Sequence, residues 1–148
     1  MLFVGTRKTT VWAVTNRSSG DTATEVKEFA PSLHFRNPNA VCWIKDGFLI
    51  VVEIIRVYTV PAAKFFYEGA DVAVGEVGEQ GKLIPPEEEP FNHSGRVCRI
   101  SPDNKPYITL GQPFNVQPRD KLAPYSKVGI GMIVRMNQDG TGREGSAR

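Results

Sequence analysis

The sequence predicts an all-β fold, and two observations lead to that prediction. Short apolar segments rich in β-branched residues, bounded by turn residues, recur along the whole chain. No window of helical length keeps apolar residues at positions i, i+3, i+4 and i+7 without an interrupting Gly or Pro. Only residues 61–67 (PAAKFFY) are expected to form a short helical turn.

Nine segments fit the strand pattern, because each holds apolar or β-branched residues and lies next to turn-forming or charged residues. Turn sequences such as KDG at 45–47 and PDN at 102–104 separate pairs of them. The predicted strands are, in order, residues 2–5, 11–15, 25–29, 40–44, 49–53, 56–60, 97–100, 107–110 and 132–136.

Length and composition indicate a single domain spanning residues 1–148, with 41% apolar residues available to build a core. The formal charge is only +2, and the basic residues are scattered along the chain. This pattern does not favour a nucleic acid or a membrane surface as partner. We interpret Cys42 and Cys98 as buried small apolar residues, since two cysteines alone make neither a disulfide framework nor a metal site.

The N-terminal sequence, MLFVGTRKTT, has neither the residue order nor the length of a secretion signal. The longest apolar run, residues 48–52, is too short to cross a bilayer. The chain as written is therefore expected in the cytoplasm. As a fragment of a longer precursor, it would be expected in the periplasm.

The predicted strands repeat as units. The segment NAVCWIKDGFLIVVE superposes on GRVCRISPDNKPYITLG, and both contain Val-Cys-x-Ile, a polar turn and a second strand. Phe3, Ile50 and Tyr107 then fall in register, at separations of 47 and 57 residues. Val11, Val57 and Ile133 form a second set, at separations of 46 and 76 residues. A period of about 40 to 50 residues with four short strands per unit is typical of β-propeller blades.

The repeat predicts a partial β-propeller of about three four-stranded blades, and a sandwich or open barrel is the alternative. The expected divisions are an incomplete blade at 1–36, a second at 37–92 and a third at 93–148, with an inserted loop at 112–131. Propellers need about four to eight blades to close. We therefore expect the exposed blade faces to favour a homodimer that supplies six blades.

Residues 92–111, NHSGRVCRISPDNKPYITLG, resemble the signature of the soluble sugar dehydrogenases that depend on pyrroloquinoline quinone (PQQ). The segments DGFLIVVEIIRVYTV and MIVRMNQDGTGRE are similar to segments of the sorbosone dehydrogenase branch. The likeness runs from Leu2 to the last residue. Members of this family are six-bladed propellers, so the resemblance implies that the chain corresponds to half of one.

The resemblance also implies roles for individual residues. In the family, the histidine at the position of His93 takes the proton of the sugar's anomeric hydroxyl, which suits a base that is largely neutral at neutral pH. Arg96 is a candidate for binding the anionic cofactor. Asn37, one unit before His93, and Asn92 and Gln112, where relatives carry acidic residues, are candidate channel residues. PQQ and calcium are implied by the family alone, and the residues themselves predict no metal site.

Three functions follow as hypotheses. The chain stops before segments that hold the cofactor in relatives, so we expect a self-associating half-propeller without the full catalytic machinery. Such a module could bind a small sugar or polyol. One alternative is a PQQ-dependent sorbosone or glucose oxidoreductase, with His93 as general base and a site completed across a subunit interface. Another is a protein-interaction module that uses its exposed blade edges.

Overall fold

The computed structural model describes residues 1–69, 71–77, 83–90 and 92–146. Its helices are α1 (Ala63–Phe66) and α2 (Leu122–Val128), and short 3-10 turns occupy Pro31–Leu33, Pro86–Glu88 and Arg119–Lys121. The strands are β1 (Leu2–Gly5), β2 (Val11–Thr15), β3 (Glu25–Phe29), β4 (Ala40–Ile44), β5 (Phe48–Val52), β6 (Val57–Pro61), β7 (Gly75–Glu76), β8 (Cys98–Ile100), β9 (Pro106–Leu110), β10 (Met132–Arg135) and β11 (Glu144–Ser146).

The strands form three antiparallel sheets in which consecutive strands are neighbours. The first sheet contains β1, β2 and β3, the middle sheet β4 to β7, and the third sheet β8 to β11. This arrangement confirms the all-β prediction, and every predicted strand is found within one residue of its expected bounds. The sequence analysis missed β7 and β11, which are short and contain no β-branched residue.

One of the two helices was predicted from the sequence and the other was not. Residues 61–67 contain α1, which confirms the short helical turn predicted there. The inserted loop at 112–131 contains α2, which was not predicted because the segment is rich in Pro, Gly and polar residues. Pro124 lies in the first turn of α2, where no intrahelical N–H bond is lost. Tyr125 anchors this helix by burying its ring in the core.

The middle sheet is buried on both faces. Its residues Leu49 and Val51 pack with Val11 and Phe29 of the first sheet. The intervening side chains, such as Ile50, point the other way and join a second core with the third sheet. The first and third sheets each bury one face against the middle sheet, and their outer faces are largely solvent-exposed.

The strand register agrees with the repeat found in the second strands of the three units. Phe3 lies on the face of the first sheet toward the middle sheet. Ile50 lies on the face of the middle sheet toward the third sheet. Tyr107 precedes the buried Ile108 on β9, so its side chain lies on the outer face of the third sheet. The three residues therefore occupy corresponding faces of successive sheets.

The interpretation of the two cysteines as separate apolar residues is wrong. Cys42 and Cys98 form a disulfide between β4 and β8, and their Cα atoms lie 5.7 Å apart, within the usual range. The sequence alignment of the two units, which superposes Cys42 on Cys98, is also shifted by one residue in these strands. Cys42 faces the third sheet, whereas Cys98 faces the middle sheet. The reason is that the turn at 101–105 is two residues longer than the turn at 45–47.

Neither helix in the described part of the chain is long and apolar enough to cross a membrane.

We predict that replacing both cysteines, Cys42→Ser with Cys98→Ser, lowers the free energy of unfolding by about 4 kcal/mol, because the bond closes a loop of 56 residues. Urea unfolding monitored by circular dichroism measures this difference. Dithiothreitol should destabilise the wild type by a similar amount and leave the double variant unchanged. Equal stability of the oxidised and reduced wild type would contradict the prediction.

Candidate functional site

The candidate residues from the sequence all lie at one end of the sheets, here called the rim. The rim consists of the loops at 36–39 and 92–97, which lead into β4 and β8, the turn at 53–56 and the start of the loop after β9. β4 and β8 start at this end, and β5 and β9 finish there. The antiparallel order thus brings Asn37, Asn92, His93, Arg96 and Gln112 to one end of the fold.

Asn37 and His93 adopt the same unusual backbone conformation. Their φ angles are +52° and +58°, in the left-handed region that few residues other than glycine and asparagine adopt. Each residue lies in the loop that enters the first strand of its sheet. The two loops therefore share one backbone feature beside the strands that they enter.

Polar side chains connect the two loops. The Asn37 amide donates to the Ser94 hydroxyl oxygen at 2.8 Å, and the Asn39 amide donates to the Asn37 Oδ1 at 3.2 Å. The Arg96 backbone N–H in turn donates to the Asn39 Oδ1 at 3.1 Å. These bonds hold the loop of the middle sheet against that of the third, so the rim has a fixed shape where the sheets meet.

Arg96 is buried beneath the rim, with 3% of its surface exposed. Its guanidinium donates to the carbonyl oxygens of Gly95 and Ile54, each at 3.0 Å. Its Nε has no hydrogen-bond partner among the described residues. Burial lowers the pKa of Arg96 to about 10. This cation joins the third-sheet loop to the 53–56 turn, and it presents little surface to an external anion.

Glu53 is a buried carboxylate at the rim that the sequence analysis did not select. It is 3% exposed, and its Oε1 accepts the backbone N–H of Arg36 at 2.6 Å. Burial raises the pKa of Glu53, while this hydrogen bond and the nearby Arg56 oppose the shift. The signal in the sequence was a single acidic residue inside the apolar run VVEII.

His93 and Asn92 are exposed at the rim. No hydrogen bond or ion pair joins the His93 imidazole to a described residue, and no carboxylate orients it there. The His93 carbonyl lies against Gly111, where a Cβ would come within 2.6 Å of the oxygen, so a side chain at position 111 would displace the loop. His93 is thus a solvent-accessible imidazole on a constrained loop.

Gln112 lines a separate rim cavity of about 330 Å³ formed with the inserted loop. The cavity has both polar and apolar walls, with Gln117 and Ser126 supplying polar groups. The described residues contain no cluster of three or more His, Cys, Asp or Glu side chains suited to a metal ion. The rim can therefore offer hydrogen bonds to a neutral ligand, and its polar residues lie in two places rather than one.

Comparison with known proteins finds no match to the chain among family models, curated proteins or solved structures.

We predict that Glu53→Gln becomes progressively more stable relative to the wild type as the pH rises from about 4 to about 7. The raised pKa means that the folded protein binds this proton more tightly than the unfolded chain. The contribution of this proton to the stability of the wild type is complete below the ordinary pKa of a glutamate. It is lost as the pH rises through the pKa of the folded state. Urea unfolding at a series of pH values measures the difference.

The matched control is Glu87→Gln, which removes an exposed carboxylate from the 3-10 turn Pro86–Glu88. Its stability difference from the wild type should change little over the same pH range. A Glu53→Gln difference that is independent of pH would contradict the assignment of Glu53 as a buried carboxylate with a raised pKa.

Proposed function

We propose that these 148 residues form half of a six-bladed β-propeller that closes by binding a second copy and presents its rim to a small polyol or sugar. The observation that carries this proposal is the repetition of faces. Phe3, Ile50 and Tyr107 are at equivalent positions of the three sheets. Each lies on the same face of its sheet, which in the first two sheets packs against the next sheet along the chain. In the third sheet no other sheet of the described residues covers this face.

The outer face of the first sheet is apolar. Trp12 is 38% exposed and Val26 is 58% exposed, and Val4 lies beside them on the same face. Large apolar side chains gathered on one face of a sheet are typical of a contact surface. In the middle sheet, the corresponding face carries Leu49 and Val51 and is covered by the first sheet.

The outer face of the third sheet is also apolar. Val97 is 50% exposed and Ile133 is 39% exposed, and they border a groove of about 320 Å³ together with Tyr107 and Thr109. A partner's first sheet would cover this groove in the same way as the third sheet covers the middle one.

The two outer faces also carry complementary charges. Glu28 lies directly opposite Trp12 on the first sheet, and Arg99 lies directly opposite Tyr107 on the third. Both are exposed, and neither takes part in an ion pair with another described residue. A head-to-tail contact would bring the two faces together and favour this orientation over contacts between identical faces.

Two such contacts around a two-fold axis would close a ring of six sheets, within the range in which propellers are stable. The rim loops of both copies would then line one end of the ring. Asn37, Asn92 and His93 would supply amide and imidazole groups, which are suited to binding the hydroxyl groups of a sugar or polyol. The resemblance to sugar dehydrogenases supports this ligand class.

The disulfide also bears on where the chain functions. Disulfides persist in oxidising compartments and are rare in the cytosol. The Cys42–Cys98 bond therefore supports a location such as the periplasm over the cytoplasm.

We predict that the purified chain elutes with twice the monomer mass of 16.4 kDa in size-exclusion chromatography with light scattering. Trp12→Asp and Ile133→Asp should each give monomers, because each places a charge in the proposed contact. Phe65→Asp is the matched control, since Phe65 is exposed on α1 and lies outside both faces. It should remain dimeric, and a monomeric wild type would rule out closure by a second copy.

Mixing the two monomeric variants tests the head-to-tail arrangement. The Trp12→Asp chain keeps its third-sheet face, and the Ile133→Asp chain keeps its first-sheet face. One intact contact can then form, so the mixture should contain heterodimers that neither variant forms alone. A contact between identical faces would not be restored in this way.

The second candidate function is a PQQ-dependent sugar oxidoreductase, favoured by the exposure of His93 at the rim. The described residues fit the quinone poorly, because binding its carboxylates needs accessible cationic side chains and Arg96 is buried. They also provide no carboxylate cluster for calcium. We therefore derive no catalytic step through this cofactor.

A direct assay separates the two functions. The chain mixed with PQQ, calcium and an aldose should fail to reduce a redox dye, and titration with PQQ should show no saturable binding. Dye reduction that disappears in His93→Ala and persists in His34→Ala, which removes the other histidine, would instead establish the oxidoreductase.

A further inference from the structure

The free edge of β1 differs from its counterparts in the other two sheets. In the middle sheet β5 lies between β4 and β6, and in the third sheet β9 lies between β8 and β10. In the first sheet the corresponding strand, β1, pairs with β2 alone among the strands that the structure describes. Alternate N–H and C=O groups of β1 therefore point away from the sheet, as at any strand edge.

An apolar groove of about 410 Å³ opens beside this edge. Its walls come from the start of β1, from β4, and from side chains near the starts of β5 and α1. The residues that line it are Met1, Leu2, Phe3, Val41, Cys42, Trp43, Leu49 and Lys64.

The start of β1 beside the groove is open, and its end is closed. Leu2 is 61% exposed, and the Phe3 ring stacks on the Trp43 ring with centroids 6.3 Å apart. At the other end Gly5 lies against the loop before β4, where a Cβ would come within 2.2 Å of the Pro38 carbonyl oxygen. The space therefore suits a short segment that enters from the end of Leu2.

The middle and third sheets indicate what kind of segment fits. There β4 pairs with β5, and its Cys42 side chain covers Cys98 of the neighbouring sheet. The face of β4 on the groove side carries Val41 and Trp43, which are partly exposed. A strand paired with β1 would cover these two side chains as β4 covers β8.

We propose that the β1 edge and this groove accept an extended peptide strand from outside residues 1–148. The strand would run antiparallel to β1, in the relation that β4 has to β5. It would carry small or branched apolar residues at alternate positions, following the Ala-x-Cys-x-Ile pattern of β4. Main-chain hydrogen bonds would supply affinity, and the groove would select the side chains.

This site differs from the surfaces used in the proposed function. Ring closure uses the outer faces of the first and third sheets, whereas the strand would bind at an edge. The two properties can therefore fail separately.

The test uses a fluorescein-labelled peptide of sequence NAVSWIK, which is residues 39–45 with Cys42→Ser, and measures its fluorescence anisotropy with the full chain. We expect saturable binding that Trp43→Asp weakens about tenfold or more, as expected for an aromatic residue central to a contact. Trp12→Asp, which is predicted to prevent dimerisation, should bind the peptide as the wild type does.

A control peptide, NAVPWIK, replaces the central residue by proline, which cannot donate a main-chain hydrogen bond. It should bind at least about tenfold more weakly than the parent peptide. Absence of saturable binding by the parent peptide, equal binding of the proline peptide, or full binding by Trp43→Asp would each overturn the proposal. Circular dichroism and the elution mass of Trp43→Asp establish that it is folded.

Discussion

The packing of the middle sheet between two neighbours is the constraint on which the rest of the structure depends. Side chains on both faces of β5, including Leu49 and Ile50, have no more than 1% of their surface exposed. Burying each such side chain contributes about 1.5 to 3 kcal/mol. This gain requires a sheet on each side, and the first and third sheets supply those surfaces. The rim follows from the same packing, because it brings the loops before β4 and β8 together.

The same constraint leaves the end sheets incompletely covered. Each end sheet buries one apolar face and exposes another that is built on the same pattern. A row of sheets with two apolar faces leaves one face exposed at each end. Propellers avoid this exposure by closing into rings. The proposals for a second copy and for a bound strand concern different uncovered parts of the chain, the outer faces and the β1 edge. The polar rim is a consequence of the same arrangement, and the proposed small ligand would bind there.

Much of the fold could be predicted because local pattern and tertiary burial agree. The apolar, β-branched run VWAVT indicated a strand, and the strand lies where predicted, with every second residue buried. The Cys42–Cys98 bond was missed because sequence spacing does not show that β4 and β8 lie side by side with cysteines on facing surfaces. Glu53 was missed because its side chain bonds to the backbone of Arg36, 17 residues away, a contact that forms only in the folded chain. The α2 helix is fixed by Tyr125 packing rather than by helical periodicity.

The five candidate site residues lie at one end of the fold, but the sequence did not show which of them are exposed and which are buried. His93 is exposed and Arg96 is buried, although they are three residues apart in one loop. That difference arises from the carbonyl oxygens of Gly95 and Ile54, which hold the guanidinium beneath the rim. A motif specifies residue types, whereas accessibility is decided by the neighbouring turn.

The central claim, that the outer faces of the first and third sheets meet between two copies, can be tested by isotope-filtered nuclear Overhauser spectroscopy. The sample would contain equal amounts of methyl-labelled and unlabelled chain. We predict intermolecular contacts between the Val26 methyl groups of one copy and the Ile133 methyl groups of the other. Intermolecular contacts between the two Ile133 residues, or none involving either face, would contradict it.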